Sequence, residues 1–303
     1  MKTVGKPTAG EVITRAIQDA VTKFIINDMV SVNKDPEAIH QSRVALRKLR
    51  SHLTTAKALM DSHWVKKLKS QTADYATQLG ELRDLDVMEV CLRQSLKRPH
   101  IARFVAHNLP DKGEPLVRAL QNRRQKCYKQ LMIMREGEQF HDILLLLLDA
   151  SYRPHFKKRA SAPAEKILPL LLENCWMSLE KAAKKTKEDA LAAIPLSIDM
   201  HKLRIATKRL RYTAEACYGT PQVGDAISAN KVVKKAADLQ TVLGEYHDIK
   251  VFQQWLSEVN KRSGLRSPVI DRIWSDQQNR AVEIEKQWVS YYKELEINYK
   301  ENY

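Results

Sequence analysis

His40–Gln–Ser–Arg43–Val–Ala–Leu–Arg47–Lys48–Leu–Arg50 carries its polar residues at spacings that only a helix brings together. At about 100° per residue, His40, Arg43, Arg47 and Arg50 fall within a sector roughly 80° wide. Leu46, Leu49 and Leu53 fall largely on the opposite side, so the helix can bury one face and present a cationic stripe, flanked by Lys48, on the other. The stripe recurs. His201–Lys–Leu–Arg204–Ile–Ala–Thr–Lys208–Arg209–Leu–Arg211 repeats the spacing, with Lys208 where Arg47 stood and Arg209 where Lys48 stood. Like charges at helical spacing repel, and one basic face on a basic chain is most simply a solvated surface. Two such faces, each headed by histidine, point instead to something polyanionic that the chain must hold.

Composition agrees with helix. Of 303 residues only 9 are Gly and 11 Pro, while Ala, Leu, Lys, Glu and Gln fill long runs that lack the alternation of strands. The chain reads as all-α. Lys and Arg outnumber Asp and Glu by 51 to 36, a net charge of +15. The excess is spread over both halves, so it is a distributed field and not a tail. Such a field attracts phosphates, nucleic acid or anionic membrane surfaces on electrostatic grounds alone. Cys91, Cys127, Cys175 and Cys217 lie far apart with no C-x-x-C pattern, which suggests neither a zinc site nor a disulfide framework and fits a reducing cytoplasm. No signal-peptide pattern appears, and Leu144–Leu148 is too short to span a bilayer.

Along the chain, a first amphipathic helix is expected near residues 8–32. Asp35 and Pro36 then supply the N-cap and first position of the His40 helix. A third helix, capped by Asp61 or Ser62, is expected to stop or kink at Gly80, with Glu81 opening a fourth. Leu79–Gly80–Glu81–Leu82–Arg83–Asp84 is matched by Leu243–Gly244–Glu245–Tyr246–His247–Asp248. His40 and His201 are 161 residues apart and Gly80 and Gly244 are 164 apart, so the chain is an internal duplication. The expected division is a first half over 1–152, a basic linker over 153–162 and a second half over 163–303. Trp255, Trp274 and Trp288 read as packing residues and not as base-stacking platforms.

H-x-x-R-x-x-x-[RK]-[KR]-L-R followed some forty residues later by L-G-x-x-[RH]-D, both present twice, resembles the CHAD family, the conserved histidine α-helical domain. The resemblance covers nearly the full length. It implies two pseudo-symmetric four-helix bundles flanking a central basic channel, and non-catalytic binding of inorganic polyphosphate. Carried over by position, it implies ligand contacts from His40, Arg43, Arg47 and Arg50 and from His201, Arg204, Lys208 and Arg211, with Lys48 and Arg209 as helpers. Lys67, Lys231, Arg83, Lys234 and Lys235 form a second tier. The halves also differ, because Arg83 is matched by His247 and Asp86 by Lys250. The resemblance further allows attachment to polyphosphate or polyester storage granules. Neither a cofactor nor a metal is implied, and the duplication makes a monomer or weak oligomer sufficient.

A flexible chain of phosphates asks for fixed cations at repeated intervals, and helical neighbours three or four apart lie about 5–6 Å from each other. Arg brings a bidentate fork and Lys a point charge. His40 and His201 either touch phosphate or anchor the helix starts; with Arg43 and Arg204 one turn away, their pKa values should be depressed without ligand and raised with it. Two rival functions stay open. A metal-dependent phosphohydrolase could use His247–Asp248, although no ligand cluster of metal-site spacing is visible. Nucleic acid could bind non-specifically, although aromatic residues make up only 7% and are not interleaved with the stripes.

Overall fold

The computed structural model describes residues 6–108, 114–218, 226–262 and 268–301. These form eleven α-helices and no strand: α1 Ala9–Ser31, α2 Pro36–Thr55, α3 Ser62–Gln71, α4 Ala73–Lys97, α5 Pro99–Asn108, α6 Glu114–Glu136, α7 Glu138–Tyr152, α8 Ala164–Leu191, α9 Ser197–Tyr218, α10 Ala226–Arg262 and α11 Pro268–Lys300. Side-chain caps fix several starts. Thr8 and Glu11 close a capping box on α1, Asp35 accepts from the Glu37 N–H with Pro36 inside the first turn of α2, and Asp61 accepts from the Trp64 N–H at the start of α3.

The order of parts repeats. α1 packs on α2, α2 on α4 and α4 on α6, while α8 packs on α9, α9 on α10 and α10 on α11. Across the halves α2 meets α9, α4 meets α10 and α1 meets α8. Two buried apolar clusters result. The smaller lies within α8–α11. The larger starts at Ala9 and takes in Ile167 and Leu171 of α8, Phe252 and Trp255 of α10 and Ile273 of α11. The segment 153–163 is tied down as well: the Asp61 N–H donates to the His155 carbonyl at 2.8 Å, the Lys157 N–H to the Leu59 carbonyl at 2.8 Å and the Ala9 N–H to the Ala162 carbonyl at 2.9 Å. Trp255 and Trp288 are buried as packing residues, whereas Trp274 is 38% exposed.

Gly80 and Gly244 do not stop helices; they lie inside α4 and α10. Glycine in a helix costs about 1 kcal/mol against alanine, which is outweighed by apolar faces that run straight through it: Tyr75, Leu79, Leu82, Leu85 and Leu92 in α4, and Leu239, Leu243, Tyr246, Ile249 and Phe252 in α10. The break falls instead at Thr72, whose buried hydroxyl donates to the Leu68 carbonyl at 2.9 Å. A β-carbon at position 244 would meet nothing within 4 Å. Gly244→Ala is therefore expected to stabilise the protein by roughly 0.5–1 kcal/mol, read as a higher urea midpoint at unchanged slope.

Candidate functional site

With Leu46, Leu49 and Leu53 of α2 and Leu203 and Leu210 of α9 in the interior, the stripe faces of the two helices border one cavity of about 580 Å³, walled also by α4 and α10. The C-terminal halves of α2 and α9 meet directly. Arg47 Nε donates to the Tyr212 hydroxyl at 3.1 Å, Lys48 Nζ to Glu215 at 2.7 Å and the Thr213 hydroxyl to that of Thr55 at 3.2 Å. His40, Arg43, Arg47 and Lys48 line the cavity from α2, and Arg204, Lys208 and Arg211 from α9. α4 adds Arg83 and Asp84; α10 adds Gln240, Thr241, Gly244, Glu245 and Asp248. Seven Lys and Arg side chains thus face three carboxylates.

Burial shapes the electrostatics more than pairing does. Arg43 lies 3.6 Å from Asp84, but no carboxylate of the described residues comes as close to Arg204, whose buried Nε has no hydrogen-bond partner among them. Burial, and then the neighbouring guanidinium groups of Arg47 and Arg43, bring Arg204 down to about 10 despite Asp248. Burial likewise lowers His40, helped by Arg83, and lowers His201, helped by Arg204 and Lys208. Both histidines are depressed, as the neighbouring arginines imply, but desolvation outweighs those charges as the cause. Burial raises Asp84 and Asp248, opposed by Arg43 and Arg204 respectively, so each carboxylate faces a guanidinium of the stripes. Among the described residues no group of three or more His, Cys, Asp or Glu side chains is placed to hold a metal ion.

Residues 15–257 match the family model of the CHAD domain. The chain belongs to the CHAD family. Two uncharacterized proteins of Mycobacterium tuberculosis, from strains CDC 1551 and H37Rv, are each 28% identical to it over 261 residues, covering 83% of this chain and 46% of their own length. The chain thus spans about half the length of these relatives. Among solved structures, the CHAD domain from the plant Ricinus communis superposes with a TM-score of 0.71 at 20% identity, over 96% of this chain and 92% of its own. PptA from Streptomyces chartreusis gives 0.70 at 15% identity, over 95% and 100%. Both are similar in fold.

The CHAD cavity gathers some of the residues singled out in the sequence and leaves others aside. His40, Arg43, Arg47, Lys48, Arg83, Arg204, Lys208 and Arg211 line it. Arg50 does not: its guanidinium donates to the Lys69 carbonyl at 2.6 Å and satisfies the C-terminus of α3. Arg209 also stands outside the lining, within the field of Lys69. His201 is exposed and stands outside the lining, its ring 5.6 Å from that of His247. Lys67, Lys231 and Lys234 are exposed, and Lys235 pairs with Glu294 at 2.5 Å. Asp84 and Asp248 sit in the repeated second motif, so their place was open to reading. Tyr212 and Glu215 were not, because Ser51 and Thr54 occupy the corresponding positions of the first half and no repeat flags them. Glu215 also accepts from Arg211 Nε at 2.8 Å, so one carboxylate holds two lining cations.

Proposed function

We propose that this CHAD domain binds inorganic polyphosphate without transforming it, through the cationic faces of α2 and α9. The single observation that carries the reading is the convergence of seven Lys and Arg side chains from both halves on one cavity. Arg204 presents charge there that no carboxylate of the described residues neutralises at ion-pair distance, its buried Nε having no hydrogen-bond partner among them. A polyphosphate chain supplies regularly spaced oxyanions, and guanidinium groups bind them bidentately. The domain acts in the cytoplasm, on polyphosphate or polyester granules, as a monomer or weak oligomer.

Hydrolysis is disfavoured because the only carboxylates in the lining besides Glu245 face Arg43 and Arg204, where a divalent cation would enter a strongly positive field. Base-stacking recognition is disfavoured because, among the described residues, Tyr212 is the one Phe, Tyr or Trp of the lining, and its hydroxyl already accepts from Arg47. No helix among the described residues is long and apolar enough to cross a membrane.

Binding of long-chain polyphosphate, titrated against salt, tests the reading. The logarithm of the affinity should fall linearly with the logarithm of salt concentration, with a slope of about −4 if six phosphates are neutralised. Duplex DNA at equal phosphate concentration and physiological salt should fail to compete. Displacement by DNA, or release of phosphate from labelled polyphosphate with Mg²⁺ or Mn²⁺, would overturn it. A fluorescent fusion reports granule recruitment, which changing Arg43, Arg47, Arg204 and Lys208 together to Glu should abolish.

A further inference from the structure

The two halves differ at one position of the cavity in a way that chemistry makes consequential. Arg47 keeps its proton under all physiological conditions. Its counterpart in the duplication is Lys208, an amine that can shed one. Lys208 is also the most enclosed cation of the lining, only 9% exposed, and no carboxylate of the described residues lies within ion-pair distance of it. The groups that face it are mostly cationic or neutral: His201 and Arg204 on its own helix, Arg43 and Arg47 on α2, and His247 on α10. Asp248 on α10 opposes them, and Asp84 on α4 lies in the same cavity, directed at Arg43.

We propose that Lys208 couples polyanion binding to proton uptake: its amine is neutral in the open cavity and takes up one proton as a phosphate chain enters. The inference rests on the polyphosphate reading of the cavity and adds its regulation. Two physical effects support it. Burial, followed by the charges of Arg204, Arg47 and Arg43, brings Lys208 down to about 6, with Asp248 too weak an opponent to restore it. An entering oxyanion reverses the field at the amine and returns it toward the ordinary lysine value of about 10.4. Between those two values the bound protein holds a proton that the free protein lacks. The contribution of Lys208 to affinity is therefore greatest and flat below about pH 6, and falls by up to about tenfold per pH unit above it. Long-chain polyphosphate is the appropriate probe because its interior units stay ionised throughout this window. His40, His201 and His247 are lowered as well and add uptake mainly nearer pH 6.5 or below, their ordinary range.

The experiment is calorimetric titration of the full chain with long-chain polyphosphate at pH 8, in three buffers of different ionisation enthalpy. The expected result is uptake of close to one proton per site, together with a loss of affinity between pH 7 and pH 9. Lys208→Arg, which copies the chemistry of Arg47, should bind with uptake near zero and with a flattened pH dependence. Lys208→Met should bind more weakly, also without uptake, and circular dichroism checks that both variants keep the helical fold. Buffer-independent heats in the parent protein, or equal uptake in Lys208→Arg, would overturn the coupling while leaving polyphosphate binding intact. An absence of binding at low salt would instead remove the reading beneath it, and the coupling with it.

Discussion

Replacing Arg43, Arg47, Arg204 and Lys208 together by glutamine should lower the affinity for long-chain polyphosphate by about 10⁴-fold and raise the thermal midpoint of the free protein. The loss follows from four charge-assisted contacts worth about 1.5 kcal/mol each at the lower bound. The gain follows from relief of repulsion within the cavity. Its sign can be checked against pH. Lys208 has a folded-state pKa of about 6, well below that of an unfolded lysine near 10.4, so the unfolded chain binds the extra proton between those values. The parent is thus handicapped most at and below about pH 6, and the handicap fades as pH rises toward 10. The stability advantage of the variant should accordingly shrink with rising pH. An unchanged midpoint with intact binding would show that these side chains neither repel one another nor hold the ligand.

Arg135→Met should cost about 3–5 kcal/mol of stability at neutral pH. Asp28 is only 2% exposed, held by an ion pair to Arg135 at 2.9 Å and a short hydrogen bond from the Tyr75 hydroxyl. Arg135 also lies over the Phe140 ring at 5.5 Å. Burial raises the pKa of Asp28 while Tyr75 and Arg135 oppose it. Without the guanidinium the carboxylate would be buried and unpaired. Because the folded-state pKa lies above the unfolded one, stability in the variant should fall as pH rises from the ordinary carboxylate range, and acidification should recover part of the loss. Asp28→Asn in the same background should recover most of it at neutral pH. A denaturant series reads both effects, and a cost below about 1 kcal/mol would mean that this pair does not anchor the α1–α4–α6 packing.

The helical class and the repeated order of helices were legible because both rest on period. The stripes, the Asp35–Pro36 start and the Asp61 cap are local patterns whose physics is complete within a few residues. Three-dimensional competition was not legible. Gly80 reads as a stop or kink because glycine is costly in a helix, yet the continuous apolar face on either side overrides that cost. Arg50 matches the stripe by angle, but the open carbonyl of Lys69 lies within its reach and claims it. Lys48 and Arg209 are equivalent by repeat, and only Lys48 lines the cavity. Glu215 reached the site through a difference between the copies, which an argument from repetition is bound to overlook.

The larger apolar cluster, reaching from Ala9 in α1 to Ile273 in α11, means that the first half has no interior of its own, although the second keeps a separate cluster within α8–α11. Opening the first half to water strips Leu171, Phe252 and Trp255 of their cover, and the cavity walls come apart with them. The receptor therefore cannot outlast the opening of its first half.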